Sequence, residues 1–380
     1  MYIVIFFSIL AFLLTYLESK GKMKGGMKIG FILVTILGAI HYDYGNDYFS
    51  YLGNYEEITR YSFDLLGILA GEYYREPGWA LLCWLFKPIG GFFMMVAVLN
   101  IIQNYIVYRF INTNVEVEWW GMAIFTYLFV QSYYLMSFTM MRQEFVVIVF
   151  LGLWTFIKER KWWISLLVLY LCSFIHSSSL ILLPFAFWGF VSMKNAKIIG
   201  VGYVIFLATL WIFQDTLNNI FQFALTLDEG FSNYANNYDD GKRGLNIGLG
   251  FIVSMIPFVL SILFLFSKNN QASLQIKQMV ALSAISFLIA PFSQIIQLVG
   301  RLSVYFGVYS IGAIPFIYSN IKDKSVRICF IGLYIIVILY SYYLFFTTKK
   351  SRIIYKIKRI VSKMFYFKSI CLIFFIIKCI

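Results

Sequence analysis

Charge is scarce in this chain. Asp, Glu, Lys and Arg supply 13% of its 380 residues, against about 25% in a soluble globular domain. Hydrophobic residues supply 61%, and the mean hydropathy is +0.78. A water-soluble fold is excluded, and the composition is that of a polytopic membrane protein. Proline is rare, at six residues, so most spans should run unbroken. Histidine occurs only at His41 and His176. The five cysteines, Cys83, Cys172, Cys329, Cys371 and Cys379, are scattered in apolar text without metal-ligand spacing. As small apolar fillers they say little about redox compartment. Missing altogether are a P-loop, a GxGxxG turn, a His/Cys/carboxylate cluster with zinc spacing and a Gly-x-Ser-x-Gly elbow.

Apolar runs are abundant. The length accommodates about twelve spans of roughly 20 residues, with no room for a sizeable soluble domain. Candidate spans are 1–17, 28–42, 90–109, 119–135, 141–157, 162–175, 177–193, 198–213, 247–267, 278–296, 302–319 and 328–346. Met1–Leu17 lacks a basic leader and a small-residue cleavage site, and reads as the first span. The run Trp79–Phe86 is too short to cross and fits a segment that dips in and returns. The expected fold is therefore all-α, with about twelve transmembrane helices and two extracytoplasmic loops. Residues 1–348 form the membrane domain, and residues 349–380 a basic, partly apolar tail.

Lysine and arginine set the orientation. Basic residues gather after the first, fifth, seventh, ninth and eleventh spans, as in Lys20, Lys22, Lys24 and Lys28, or Lys158, Arg160 and Lys161. Twelve spans put all of these on one side, which we take as cytoplasmic. The opposite side receives two long, mainly acidic stretches, Asp43–Glu76 and Gln214–Asn246. The tail breaks the pattern. Lys349–Ile380 holds nine Lys or Arg and no acid, and reads as a lipid-surface segment rather than a nucleic-acid binder.

Four polar positions stand out against the apolar text. Charge inside a span costs about 2.5 kcal/mol or more, so each needs a reason. Arg142, followed by Gln143, opens the fifth span at its outer end. A guanidinium fork suits phosphate; a snorkelling arginine or a pair with Glu144 gives the same text, although residues two apart on a helix do not face each other. Asp47, Tyr48 and Tyr51 follow the Gly45-Asn46 turn signal. A carboxylate beside tyrosine rings suits a sugar, and an N-cap aspartate with interfacial tyrosines reads equally well. His176 lies between two apolar runs, at the tip of a hairpin on the same side as Arg142; it suits a general base or a helix cap. Gln294, Gln297 and Arg301 share a helical face if that helix is continuous. Two arginines from different helices could then clamp a diphosphate. Asn100, Gln103 and Asn104 also share a face, and read as interhelical hydrogen bonds.

The order of these pieces resembles the EpsG-like branch of bacterial Wzy-type polysaccharide polymerases. The residues that carry the resemblance are Gly45-Asn46-Asp47-Tyr48-Phe49-Ser50-Tyr51, Glu76-Pro77-Gly78-Trp79, Arg142-Gln143, Phe174-Ile175-His176 with its serines through Pro184, and Arg301-Leu302 with Tyr305-Phe306. It covers roughly residues 1–345. The chain departs from the pattern where an arginine usually precedes the first motif and His41 stands instead, and in its basic tail.

The resemblance implies a glycosyltransferase of the bacterial cytoplasmic (inner) membrane, of the kind that builds O-antigen, capsule or exopolysaccharide. It would extend glycan repeat units on undecaprenyl diphosphate at the extracytoplasmic face. Arg142 and Arg301 would bind the diphosphate, and His176 or Asp47 would take the acceptor proton. Tyr48, Tyr51, Glu76, Gln143, Gln294 and Gln297 would bind substrate. No metal or cofactor is implied if arginine neutralises the leaving group. Partners would be the lipid-linked oligosaccharide, the bilayer, and a flippase and chain-length regulator of the same pathway, with no nucleic acid. A flippase for lipid-linked sugars and a membrane O-acyltransferase are the competing readings.

Overall fold

The computed structural model describes residues 2–42, 47–193, 196–226, 249–267, 272–290 and 300–347. Gln294, Gln297 and the basic tail lie outside them. Every regular element among the described residues is helical. The chain falls into two compact units, Met1–Phe190 with Ile328–Ile380, and Val191–Arg327.

The first unit begins with a hairpin of α1 (Tyr2–Ser19) and α2 (Gly26–Ala39). Small residues let the two backbones touch. A Cβ added at Gly30 would lie 2.9 Å from the Ala11 carbonyl oxygen. The Glu18 carboxylate accepts from the Gly25 and Met27 amides, at 2.9 and 2.7 Å. It thereby satisfies orphan donors at the start of α2 and complements the positive end of its dipole.

Next come α3 (Tyr48–Ile58), α4 (Leu65–Ala70), α5 (Pro77–Phe86) and α6 (Gly91–Asn114). They are followed by α7 (Trp120–Phe129), α8 (Met141–Gly152), α9 (Trp154–Lys158) and α10 (Trp162–Ser173). A 3-10 helix, Ser177–Phe190, folds back on α10. The second unit holds α11 (Ala196–Ile212), α12 (Gln214–Thr226), α13 (Leu249–Phe266), α14 (Leu274–Ile289), α15 (Gly300–Gly307) and α16 (Ser310–Ser319). The final helix, α17 (Lys324–Thr347), returns the chain to the first unit, where the Tyr334 and Thr126 hydroxyls lie 3.1 Å apart.

Three helices among the described residues are long and apolar enough to cross a membrane: Tyr2–Ser19, Gly91–Asn114 and Lys324–Phe346. Gly300–Gly307 and Ser310–Ser319 make a fourth only if a pair bent by 61° counts as one span. A helical membrane protein is what these elements describe, but helix length does not carry the count of about twelve. Several expected spans are interrupted. The run 119–135 leaves α7 at Val130, which is extended. The run 141–157 is split at Leu153. The run 177–193 becomes the 14-residue 3-10 helix with Pro184 inside. At about 2.0 Å per residue that helix reaches roughly 28 Å, close to a bilayer core, where an α-helix of equal length would reach about 21 Å.

Buried polar side chains tie the helices together. Asn100, Gln103 and Asn104 of α6 are all buried. The Tyr127 hydroxyl of α7 donates to Asn104 Oδ1 at 3.0 Å. Gly38 of α2 passes so close to Asn100 that an added Cβ would collide with its side-chain oxygen. The polar face read from the sequence thus lies on the α2 and α7 sides of α6.

Helix α6 also fixes which ends belong together. At its start, the Phe92 ring packs on Tyr48 and Tyr55 of α3, with centroids 5.5 and 5.7 Å apart. At its end, Asn114 Oδ1 accepts from Lys158 Nζ at 2.8 Å. The acidic loop segment and the basic turn after α9 are therefore at opposite ends of a helix of about 36 Å.

Candidate functional site

Arg142 is the second residue of α8, and Glu76 is the N-cap of α5. Arg142 Nη1 donates to Glu76 Oε2 at 2.7 Å. Their side chains are 18% and 10% exposed, so the pair is sheltered yet open at an edge. Three rings enclose the guanidinium, with centroids 5.1 Å (Tyr74), 5.6 Å (Tyr51) and 5.9 Å (Trp79) from its central carbon. Ring faces attract a cation, more so when water is displaced. The Tyr51 phenol lies close enough to feel the Arg142 charge. Burial pushes the Tyr51 and Tyr74 phenols up, with Arg142 pulling against it. Both tyrosines therefore stay neutral near pH 7, and the charges at the site are the guanidinium and nearby carboxylates.

Local sequence explains the placement. Pro77 at the first position of α5 needs no amide partner there. Gly78 lets the backbone approach the α10 hairpin tip. The Gly78 amide donates to the Phe174 carbonyl at 2.9 Å, and the Trp79 amide to the same oxygen at 3.3 Å. The Ser177 hydroxyl donates to Glu76 Oε1 at 3.4 Å. Trp79 is fully buried and packs on Tyr51. The Tyr74 hydroxyl accepts from Asn54 Nδ2 at 3.5 Å.

Four of the motifs noted in the sequence therefore meet in one unit. Tyr51 comes from the first, Glu76, Gly78 and Trp79 from the second, Arg142 from the third, and Phe174 and Ser177 from the fourth. His176 sits beside Ser177 on that connection, its backbone amide donating to the Cys172 carbonyl at 2.9 Å. Asp47 caps α3 by position, without a side-chain cap bond. It is exposed, and its charge reaches Tyr51.

Tyr48 and Gln143 are enclosed rather than open to a ligand. The Tyr48 ring is fully enclosed by His41, Tyr42, Phe49 and Phe92, leaving no face for a sugar. Gln143 is buried on α8. Arg301 is exposed in the first turn of α15, in the second unit. His41 packs its ring on Tyr48 and Phe138 and bonds through Nδ1 to the Gly38 carbonyl. It is a packing imidazole, not a substitute for a surface arginine. Sequence reasoning gave Tyr74, Trp79 and Ser177 no side-chain role. Tyr74 and Trp79 carry a signal in hindsight, as aromatics two and three positions from an acid.

The family profile of EpsG matches residues 27–356. The chain belongs to the EpsG family, and is a membrane protein of polysaccharide biosynthesis. No curated protein and no solved structure matches it.

Proposed function

We propose that this EpsG-family protein is a polysaccharide polymerase, a membrane glycosyltransferase that lengthens undecaprenyl-diphosphate-linked glycan at the extracytoplasmic face. The observation that carries this reading is the Arg142–Glu76 pair inside its box of Tyr51, Tyr74 and Trp79. A fixed cation suits a diphosphate leaving group, and the half-buried Tyr74 ring beside the Glu76 carboxylate is the part of the box that a sugar could reach. Orientation supports the same side. The site lies with α3 and α5, at the end of α6 away from Lys158, and basic loops remain cytoplasmic.

In the proposed reaction an acceptor hydroxyl oxygen attacks the anomeric carbon of the donor glycan. The bond from that carbon to the diphosphate breaks, and the bond to the acceptor forms. The hydroxyl proton passes to His176. The lipid diphosphate departs with its charge met by donors of Arg142. A guanidinium has five N–H groups, so Glu76 can hold one while others reach phosphate. Preorganised donors of this kind act without reorganising during the step. Asp47 binds sugar hydroxyls, and Arg301 supplies a further cation required for activity.

The test is the lipid-linked glycan profile of cells carrying Arg142→Ala at wild-type protein level in the membrane. Polymer should vanish while single lipid-linked repeat units accumulate at the outer face. Normal chain length sinks the assignment. Accumulation confined to the inner face would instead indicate a flippase, and unchanged length with lost acyl groups an acyltransferase.

A further inference from the structure

Between α3 and α5 the chain builds a short helix that displays leucine outward. α4 covers only Leu65–Ala70, yet it is capped at both ends. Asp64 Oδ1 accepts from the Leu66 amide at 3.1 Å. Gly71, at φ +79°, closes the other end, its amide reaching the Ile68 carbonyl at 3.1 Å. The remaining Asp64 oxygen accepts from the Tyr73 hydroxyl at 3.3 Å. Ile68 points into the core with Trp79 and Tyr51. The opposite side shows Leu65, Leu66 and Leu69 at 46%, 79% and 58% exposure, with exposed Tyr61 and Phe63 just before them. A helix held this firmly does not expose three leucines to water without cause.

The depth of this segment can be read from its neighbours. α6 has the length and apolarity of a span and starts at Gly91. Trp84 and Lys87 come directly before it. Lys87 Nζ lies 4.1 Å from the Trp84 ring centroid and donates to the Thr59 carbonyl at 2.7 Å. Tryptophan and lysine beside a span entrance mark headgroup level. The Phe63 ring meets Trp84 edge-on at 5.7 Å, which brings the start of α4 to that level. About 9 Å long, α4 is too short to cross, and its sidedness fits a helix lying in the interface.

We propose that α4 is an interfacial anchor whose Leu65, Leu66 and Leu69 enter the acyl region of the leaflet where α6 begins. The occupant of this surface is the bilayer itself. Through Asp64 and Tyr73 the anchor is tied to the stretch carrying Tyr74 and Glu76, so it holds the Arg142 site at the membrane surface. A substrate carried on a lipid tail would then arrive sideways, without leaving the bilayer. The anchoring holds whatever reaction the site performs.

The experiment uses the full-length protein in phosphatidylethanolamine–phosphatidylglycerol vesicles. Cys329, Cys371 and Cys379 are replaced by serine, and a nitrobenzoxadiazole label is placed at Leu66→Cys or, as a water-facing control, at Glu57→Cys. Label at 66 should be quenched by acyl-chain nitroxide lipids, and severalfold less by aqueous iodide than label at 57. Equal iodide quenching at both positions overturns the proposal. Protection from both quenchers at 66, lost when the protein is diluted in lipid, also overturns it and assigns the patch to a second copy of the chain.

Discussion

The Gly78 amide and the Phe174 carbonyl are joined at 2.9 Å, and this contact fastens the Glu76 turn to the connection carrying His176. Backbone meets backbone here because Gly78 has no side chain. An added Cβ would fall 2.8 Å from Phe174 Cβ and 2.9 Å from its carbonyl oxygen. Gly78→Ala should therefore force the two segments apart, at a cost of about 1–3 kcal/mol. Thermal unfolding in detergent should show the loss, with polymer formation falling alongside. An unchanged melting temperature would mean the turn adapts freely.

Glu76→Gln keeps the shape of the side chain and removes its charge. Arg142 then lacks its ionic partner in a sheltered place. The expected destabilisation is about 1–3 kcal/mol. In a double-mutant cycle with Arg142→Gln, the two losses should sum to more than that of the double variant. Strict additivity would show that the pair is not energetically coupled.

Arg142→Lys tests geometry rather than charge. Lysine keeps the cation but not the planar fork that sits among three rings and presents several donors in fixed directions. Polymer synthesis should fall by ~10²-fold, the scale of losing one preorganised donor. Quantified chain-length distributions at matched protein levels decide it. Full activity with lysine would reduce the site to a point charge.

Tyr51 and Tyr74 supply a pH signature. Both phenols are raised above the usual 10.0 by burial. A group with a raised folded pKa adds stability below its unfolded pKa, and loses that contribution as pH rises through the folded value. Stability should thus be insensitive to these groups up to about pH 9 and decline above pH 10. The decline should be smaller in Tyr51→Phe with Tyr74→Phe. Identical alkaline profiles for both proteins would contradict it.

Helix class and the polar positions were legible in the sequence because apolar text makes each charge conspicuous. Arg142 was recognisable for that reason. Its partner was not. The nearest acid in sequence is Glu144, which helical geometry disfavours, and Glu76 lies 66 residues away on another element. Glu144 instead turns inward and is buried. Grouping Tyr48 with Tyr51 as rings for a sugar also misled, since Tyr51 faces the guanidinium while Tyr48 is walled in by rings from α6 and the chain before it. Hydropathy found α1 to within two residues and the start of α6 to within one, but ended α6 five residues early. It did not foresee the 3-10 geometry of Ser177–Phe190 or the 61° bend after Gly307. Both are backbone choices made by packing, and neither alters how apolar a segment looks.

The last helix, α17, has an implication for biogenesis. Tyr334 meets Thr126, and Gln131 bonds to Ser341, yet everything from Val191 to Arg327 is translated in between. A ribosome must finish the second unit before the first can close its own helix packing. The nascent amino-terminal half therefore waits in the lipid with an unfilled flank, and a chain truncated ahead of residue 328 should be prey to membrane proteases even though all the residues around Arg142 have been made.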